Sequence, residues 1–208
     1  MMCSPRSTLL ALALTLPIAP LLAQASPTFG LLGGITSSKV AVSGNDVTLS
    51  FGSRTGFAAG LSMQFPLGSM LAFEGDVLYA QKGVKLSDAG TTGTIKLAYI
   101  EVPLLLRYNL GNGPTRPFIL GGASVGFKAG CDVTLDTGDV SASSDCDTIF
   151  DGEQKGTDIG ATLGAGVAFN RFSIQARYTL GLTEAINDND DSITNKNRAI
   201  FLLAGISF

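Results

Sequence analysis

The chain has 208 residues, with 14 basic against 17 acidic ones, a net charge of −3 and only 15% charged residues, where ordinary soluble domains carry about 25%. That length fits one domain, and the acidic balance excludes the basic surface that nucleic-acid binding requires. The chain has no histidine, which removes Ser-His hydrolase arrangements and histidine metal sites together.

Residues 1–25 read as a secretory signal peptide. Arg6 supplies the positive start, Leu9 to Leu22 is an apolar run broken by Pro17 and Pro20, and Ala23-Gln24-Ala25 has the small-x-small form of a cleavage site. Cys3 precedes the apolar run, so it is not placed as a lipoprotein cysteine. After residue 25 no run approaches the ~18 apolar residues of a membrane helix. Residues 26–208 are therefore expected to form either an exported soluble domain or a barrel that spans with strands.

The expected strands follow in order. Thr28 to Ser37 places Phe29, Leu31 and Ile35 on one face, and Lys39 to Arg54 reads as a long polar loop. Gly56 to Phe65 alternates strictly, with Phe57, Ala59, Leu61, Met63 and Phe65 in phase; Pro66-Leu67-Gly68-Ser69 then makes a turn. Met70 to Lys82 sets Leu71, Phe73, Val77 and Tyr79 against Glu74 and Asp76, and Gly83 to Gly93 reads as a loop. Leu97 to Leu110 is the most informative stretch. Read with a period of two, Ala98, Ile100, Val102, Leu104, Leu106 and Tyr108 share one face, and Glu101, Pro103, Leu105 and Arg107 share the other. Pro103 rules out a helix interior and predicts a bulge or bend in the strand.

A turn at Asn109 to Pro114 leads to Arg116 to Lys128, with Ile119, Ala123, Val125 and Phe127 in phase. Ala129 to Lys155 reads as the longest loop; it is acidic and holds Cys131 and Cys146, an isolated pair that in an exported chain predicts one disulfide. Thr157 to Phe169 carries Ile159, Leu163, Val167 and Phe169 on one face. After Asn170-Arg171, Phe172 to Thr183 alternates most cleanly of all. Glu184 to Asn197 reads as a polar loop and Arg198 to Phe208 as the last strand, less decisive because Phe201 and Leu203 fall opposite its apolar face.

These observations predict an all-β fold: an eight-stranded antiparallel up-and-down transmembrane β-barrel. Its loops alternate long and short, the asymmetry of outer-membrane barrels, and aromatic residues (Phe65, Phe73, Tyr108, Phe169, Phe172, Phe208) stand near strand ends where interfacial girdles belong. The glycine-rich, polar faces then point inward into a lumen just wide enough for side chains to fill. Glu74, Asp76, Glu101, Arg107, Asp158 and Arg177 all fall inward. Buried charges must be matched, so Arg177 is expected to reach across to Glu74 and Glu101. Arg107 and Asp76 then complete the network nearer its ends, with Lys82 or water relieving the excess of negative charge. Such a network plugs the lumen.

Tyr99-Ile100-Glu101-Val102-Pro103-Leu104-Leu105-Leu106-Arg107-Tyr108 resembles the central motif of the PorT-like outer-membrane β-barrel domain family. Tyr79-Ala80-Gln81-Lys82-Gly83 resembles its third strand, and Gly164-Ala165-Gly166-Val167 and Arg177-Tyr178-Thr179-Leu180-Gly181-Leu182 its sixth and seventh. The resemblance implies an eight-stranded barrel in the outer membrane of a diderm bacterium and little chemistry; the two-cysteine loop lies outside its pattern. The expected partners are outer-membrane lipid and lipopolysaccharide, together with envelope or extracellular proteins reached through the loops; no nucleic acid is among them. No catalytic residue, metal site or cofactor is expected. Asn187-Asp188-Asn189-Asp190-Asp191 offers oxygen ligands but lacks the glycine and distant glutamate of a calcium loop. The expected function is non-enzymatic, structural or interactive. The alternative is a soluble, exported, lipocalin-like barrel binding a small apolar ligand, which would place its charges outward and its apolar faces inward.

Overall fold

Each stave of the barrel follows from residue-by-residue alternation, which gives a strand one lipid-compatible face and one that must be buried elsewhere. The computed structural model describes residues 26–43, 48–50, 52–88, 91–136, 141–145, 156–182 and 194–208. Eight strands form the staves of a closed, all-antiparallel barrel: β1 (Thr28–Ser43), β3 (Gly52–Pro66), β4 (Leu71–Asp88), β5 (Thr91–Asn109), β6 (Thr115–Asp136), β8 (Thr157–Phe169), β9 (Phe172–Gly181) and β10 (Thr194–Ser207). Two short strands, β2 (Thr48–Ser50) and β7 (Ser141–Asp145), add to β1 and β6 at the far end of the molecule. Neighbours in sequence pair in order around the ring, and β10 returns to β1 from Gly30–Ser207 to Ser43–Thr194, so the staves have no free edge there. No described helix is long and apolar enough to cross a membrane.

The expected phases are the observed ones. Phe29, Leu31, Ile35, Phe57, Leu61, Val77, Leu104, Leu106, Ile119, Leu163, Val167, Ile174, Ile200 and Leu202 stand exposed on the outer surface. An apolar band of this extent is stable only against hydrocarbon. The aromatic residues named from the sequence gather at the short-turn end: Phe65 faces Phe73, Leu71 faces Tyr108, and Phe169 faces Phe172. Phe57 and Tyr79, with ring centroids 5.6 Å apart, stand toward the other border.

Three expectations need correction. The strands overrun the expected loops: β4 and β5 stay paired out to Asp88–Thr91, so the expected loop over Gly83–Gly93 is the end of a hairpin. Likewise β1 continues to Ser43 and β3 begins at Gly52, β6 continues to Asp136, and β10 begins at Thr194. Beyond the bilayer both faces meet water, so the apolar phase disappears while the backbone ladder persists.

Second, Pro103 makes no bulge. Gly75 faces Leu104 and Leu78 faces Glu101, so the register holds, but the two residues between them on each strand drop out of the β4–β5 ladder. The cause is the missing N–H of proline. The bulges lie elsewhere, between Ser53 and Ala58 of β3 and near Ala98–Tyr99 at the β5–β6 pairing. Beside the β3 bulge, Ser38 Oγ of β1 donates to the Gly83 carbonyl and accepts from its N–H, both at 2.9 Å, tying β1 to β4 directly.

Third, the interior is not uniformly small and polar. Leu32, Leu78, Phe201 and Leu203 form one buried cluster with alanines, and Leu105, Phe118, Leu120 and Ala168 form another. Phe201 and Leu203, which the sequence puts opposite the apolar face of the last strand, are such lumen residues, at 2% and 0% exposure.

Candidate functional site

The lumen of an eight-stave barrel holds little water, so a charge entering it loses hydration and needs a partner. Glu74, Asp76, Lys82, Glu101, Arg107 and Arg177 are all inside, none more than 5% exposed. Arg177 sits on β9 and Glu74 and Asp76 on β4, four staves away in either direction around the ring. The Arg177 guanidinium crosses the lumen and donates from Nη2 to Glu74 Oε1 at 2.7 Å and from Nη1 to Asp76 Oδ2 at 2.6 Å. Its Nε donates to Gln175 Oε1 at 3.3 Å, two residues back on the same inward phase. All three nitrogens are therefore used. Such charge-assisted, forked contacts are the stronger class of hydrogen bond.

Glu74 is shared. Its other oxygen accepts from Arg107 Nη1 at 3.1 Å, and Arg107 Nε donates to Asn109 Oδ1 at 3.1 Å. The Arg107 guanidinium also lies over the Phe118 ring, 3.4 Å from its centroid, a favourable cation–π position. Two carboxylates thus meet two guanidiniums. Asp76 Oδ1 remains without a hydrogen-bond partner.

β8 makes room for this crossing. A Cβ on Gly164 would meet the Ala176 carbonyl at 2.6 Å and Arg177 Cγ at 3.1 Å, and one on Gly166 would meet the Ile174 carbonyl and Phe118 Cζ at 2.5 Å. The glycines of the Gly164-Ala165-Gly166-Val167 motif are space for Arg177 and Phe118.

The expected pairing of Arg177 with Glu101 does not occur. Glu101 faces Leu78, and Glu74 faces Leu105, so the two glutamates stand two inward repeats apart along the barrel. Arg177 takes Asp76, the inward neighbour of Glu74, instead. Glu101 pairs with Lys82 Nζ, which also lies 3.9 Å from Asp158 Oδ2 and 5.1 Å from the centre of the Tyr99 ring. Lys82 is therefore a full member of the ionic interior. Of the residues predicted for the network, the structure unites Glu74, Asp76, Arg107 and Arg177 and places Glu101 in a second cluster with Lys82 and Asp158. Gln175, Asn109, Phe118 and Tyr99 were not anticipated. Gln175 and Tyr99 share the inward phase of Arg177 and Glu101, a signal that was in the sequence.

Cys131 is buried and disulfide-bonded. Its expected partner, Cys146, lies outside the described residues, as do the signal segment 1–25 and the acidic run 187–191.

A lipocalin-like barrel would hold an apolar cavity inside and charge outside. Here six charged side chains are buried inside and the exposed outer face is aliphatic and aromatic, which sets that alternative aside. The outer membrane protein beta-barrel domain family matches residues 22–187. No curated protein matches the chain in sequence. Among solved structures, the chain is similar to Neisserial surface protein A, at 16% identity and a TM-score of 0.46 over 88% of this chain and 99% of that one. It is also similar to Ail of Yersinia pestis, solved with the heparin analogue sucrose octasulfate, at 17% identity and a TM-score of 0.43 over 87% and 99%. OprG of Pseudomonas aeruginosa follows at 10% identity and a TM-score of 0.44 over 88% and 97%. The family match covers well over half the sequence, and the closed barrel with its apolar belt accounts for an outer-membrane location: the chain belongs to the outer membrane protein beta-barrel domain family.

Proposed function

We propose that this protein is a non-enzymatic outer-membrane barrel that acts as a structural or interaction protein through the outer ends of its strands, with a lumen closed to solute flow. The observation that carries this reading is the crossing of Arg177 from β9 to Glu74 and Asp76 on the opposite stave, at the section through which any solute would have to pass. The buried clusters of Leu32, Leu78, Phe201 and Leu203, and of Leu105, Phe118 and Leu120, fill further lumen space. The sequence has no histidine for the acid–base arrangements common among hydrolases. The resemblance of residues 99–108 to the PorT-like motif belongs to the same proposal. So do contacts with lipopolysaccharide and with envelope or extracellular proteins at the long-strand end.

In this reading the short turns and both termini face the periplasm, and β2, β7 and the strand extensions stand outside. The wild-type protein in a planar bilayer should give no large steady conductance; an open, ohmic pore current would overturn lumen closure. Protease added to intact cells should spare Asn109 to Pro114, and cleavage there would reverse the orientation.

A further inference from the structure

We infer that the short-turn mouth of the lumen is a binding site for a phosphate-bearing small molecule or headgroup. A cavity of about 390 Å³ opens there, bounded by the β3–β4, β5–β6 and β8–β9 turns. That volume lies at the small end of the range for small-molecule pockets. Arg107, Arg116 and Arg171 line it, together with the amides of Gln64, Asn109 and Asn170, and none of its described lining residues is acidic. Among the described acidic side chains, Glu74 reaches this group, and it is already shared between Arg107 and Arg177.

Arg116 is the decisive residue. It faces Ala168, an inward position, and its Nε is buried without a hydrogen-bond partner. A buried guanidinium N–H left unmatched is costly, whereas every acid deeper in the lumen is committed to another base. Arg107 is already oriented by Asn109 and by the Phe118 face, so its position is fixed before any ligand arrives. Planar guanidinium forks match the oxygens of phosphate and bind it through two parallel N–H···O contacts. Three such groups around one opening, with Gln64 and Asn170 also lining it, select a multiply charged oxyanion over a neutral sugar or a cation. The ligand can come from the aqueous side as a soluble phosphate ester, or from the adjoining leaflet as a phospholipid headgroup.

The test uses the full mature chain, folded in a phosphate-free maltoside detergent. Inorganic phosphate and glycerol 3-phosphate are titrated by calorimetry, and phosphatidylglycerol doped into the micelle is followed by native mass spectrometry. Binding tighter than ~1 mM for a soluble probe, or retention of phosphatidylglycerol, is expected. Arg116→Gln and Arg171→Gln should each weaken it about tenfold or more, as loss of one charge-assisted fork does, while Lys96→Gln at the other end leaves it unchanged. The heat-modifiable gel shift shows that each variant has folded. Binding of soluble probes alone assigns an aqueous ligand, and arginine-dependent retention of phosphatidylglycerol alone assigns a lipid. No binding by either, or binding indifferent to both arginine substitutions, overturns the site.

Discussion

The two ionic clusters inside the barrel are built differently. The one formed by Glu74, Asp76, Arg107 and Arg177 joins opposite staves, is matched two against two, and uses all three nitrogens of Arg177. The one formed by Lys82, Glu101 and Asp158 rests first on β4 and β5, which are adjacent. Its Asp158 side chain is 18% exposed, so water reaches it. A cross-lumen tie of buried groups has no substitute when one partner is lost. A pair on adjacent staves with a part-exposed acid beside it is less tightly bound to the closure of the ring. The first cluster should therefore behave as a structural element of the barrel and the second as an adjustable lining.

The sharpest break of this contrast is Arg177→Leu. It strands Asp76 in a closed interior and leaves Glu74 to Arg107 alone, and a loss of ~3–5 kcal/mol is expected, read from urea unfolding of the detergent-folded protein. Unchanged stability would mean a hydrated lumen and an incidental network. Gly166→Val probes the space that the crossing needs. Its Cβ would drive into the Ile174 carbonyl and Phe118, and overpacking of this kind costs about 1–3 kcal/mol; a variant as stable as wild type would show that β8 yields easily.

Lys82→Met leaves Glu101 buried without its base, and about 2 kcal/mol is expected, less than for Arg177→Leu, which breaks contacts to two acids. Double-mutant cycles sharpen the point: the Arg177–Asp76 coupling should exceed the Lys82–Glu101 coupling, and the reverse order would invert the comparison. The smallest effect is expected on reducing the disulfide of Cys131. That residue lies where β6 extends past the apolar belt, so reduction should raise hydrogen exchange near residues 128–136 and leave the barrel's melting nearly unmoved, since outer segments open locally. A large drop in melting temperature would show that the extension and the barrel unfold together. With Cys146 as the proposed partner, the oxidised mature protein should show no thiol reactive to labelling.

How much could be read without coordinates differs between these regions for a physical reason. Phases were legible wherever lipid lies on one side: Phe172 to Leu182 and Leu97 to Leu110 assign their own inward and outward residues, and Glu74, Asp76, Glu101, Arg107 and Arg177 were all placed inside correctly. Strand ends were not, because Thr91–Thr94 offers no apolar phase to read while its backbone stays paired with both neighbouring strands. The basic mouth was also missed. Arg107 and Arg116 flank the β5–β6 turn and Arg171 lies in the β8–β9 turn, and only the folded sheet brings these two hairpins around one opening.

The alternation of side chains, by itself, determined that this chain forms staves with one face for hydrocarbon, and that its charges go inside. It did so because a period of two is a property of the local backbone. Which acid meets which base was decided by the closed barrel alone. Stave order sets Arg177 opposite β4, and the register sets Glu101 beside Leu78 and away from Glu74. Pairing across a lumen depends on the height of each residue along its stave, and that height is fixed only when the sheet closes on itself.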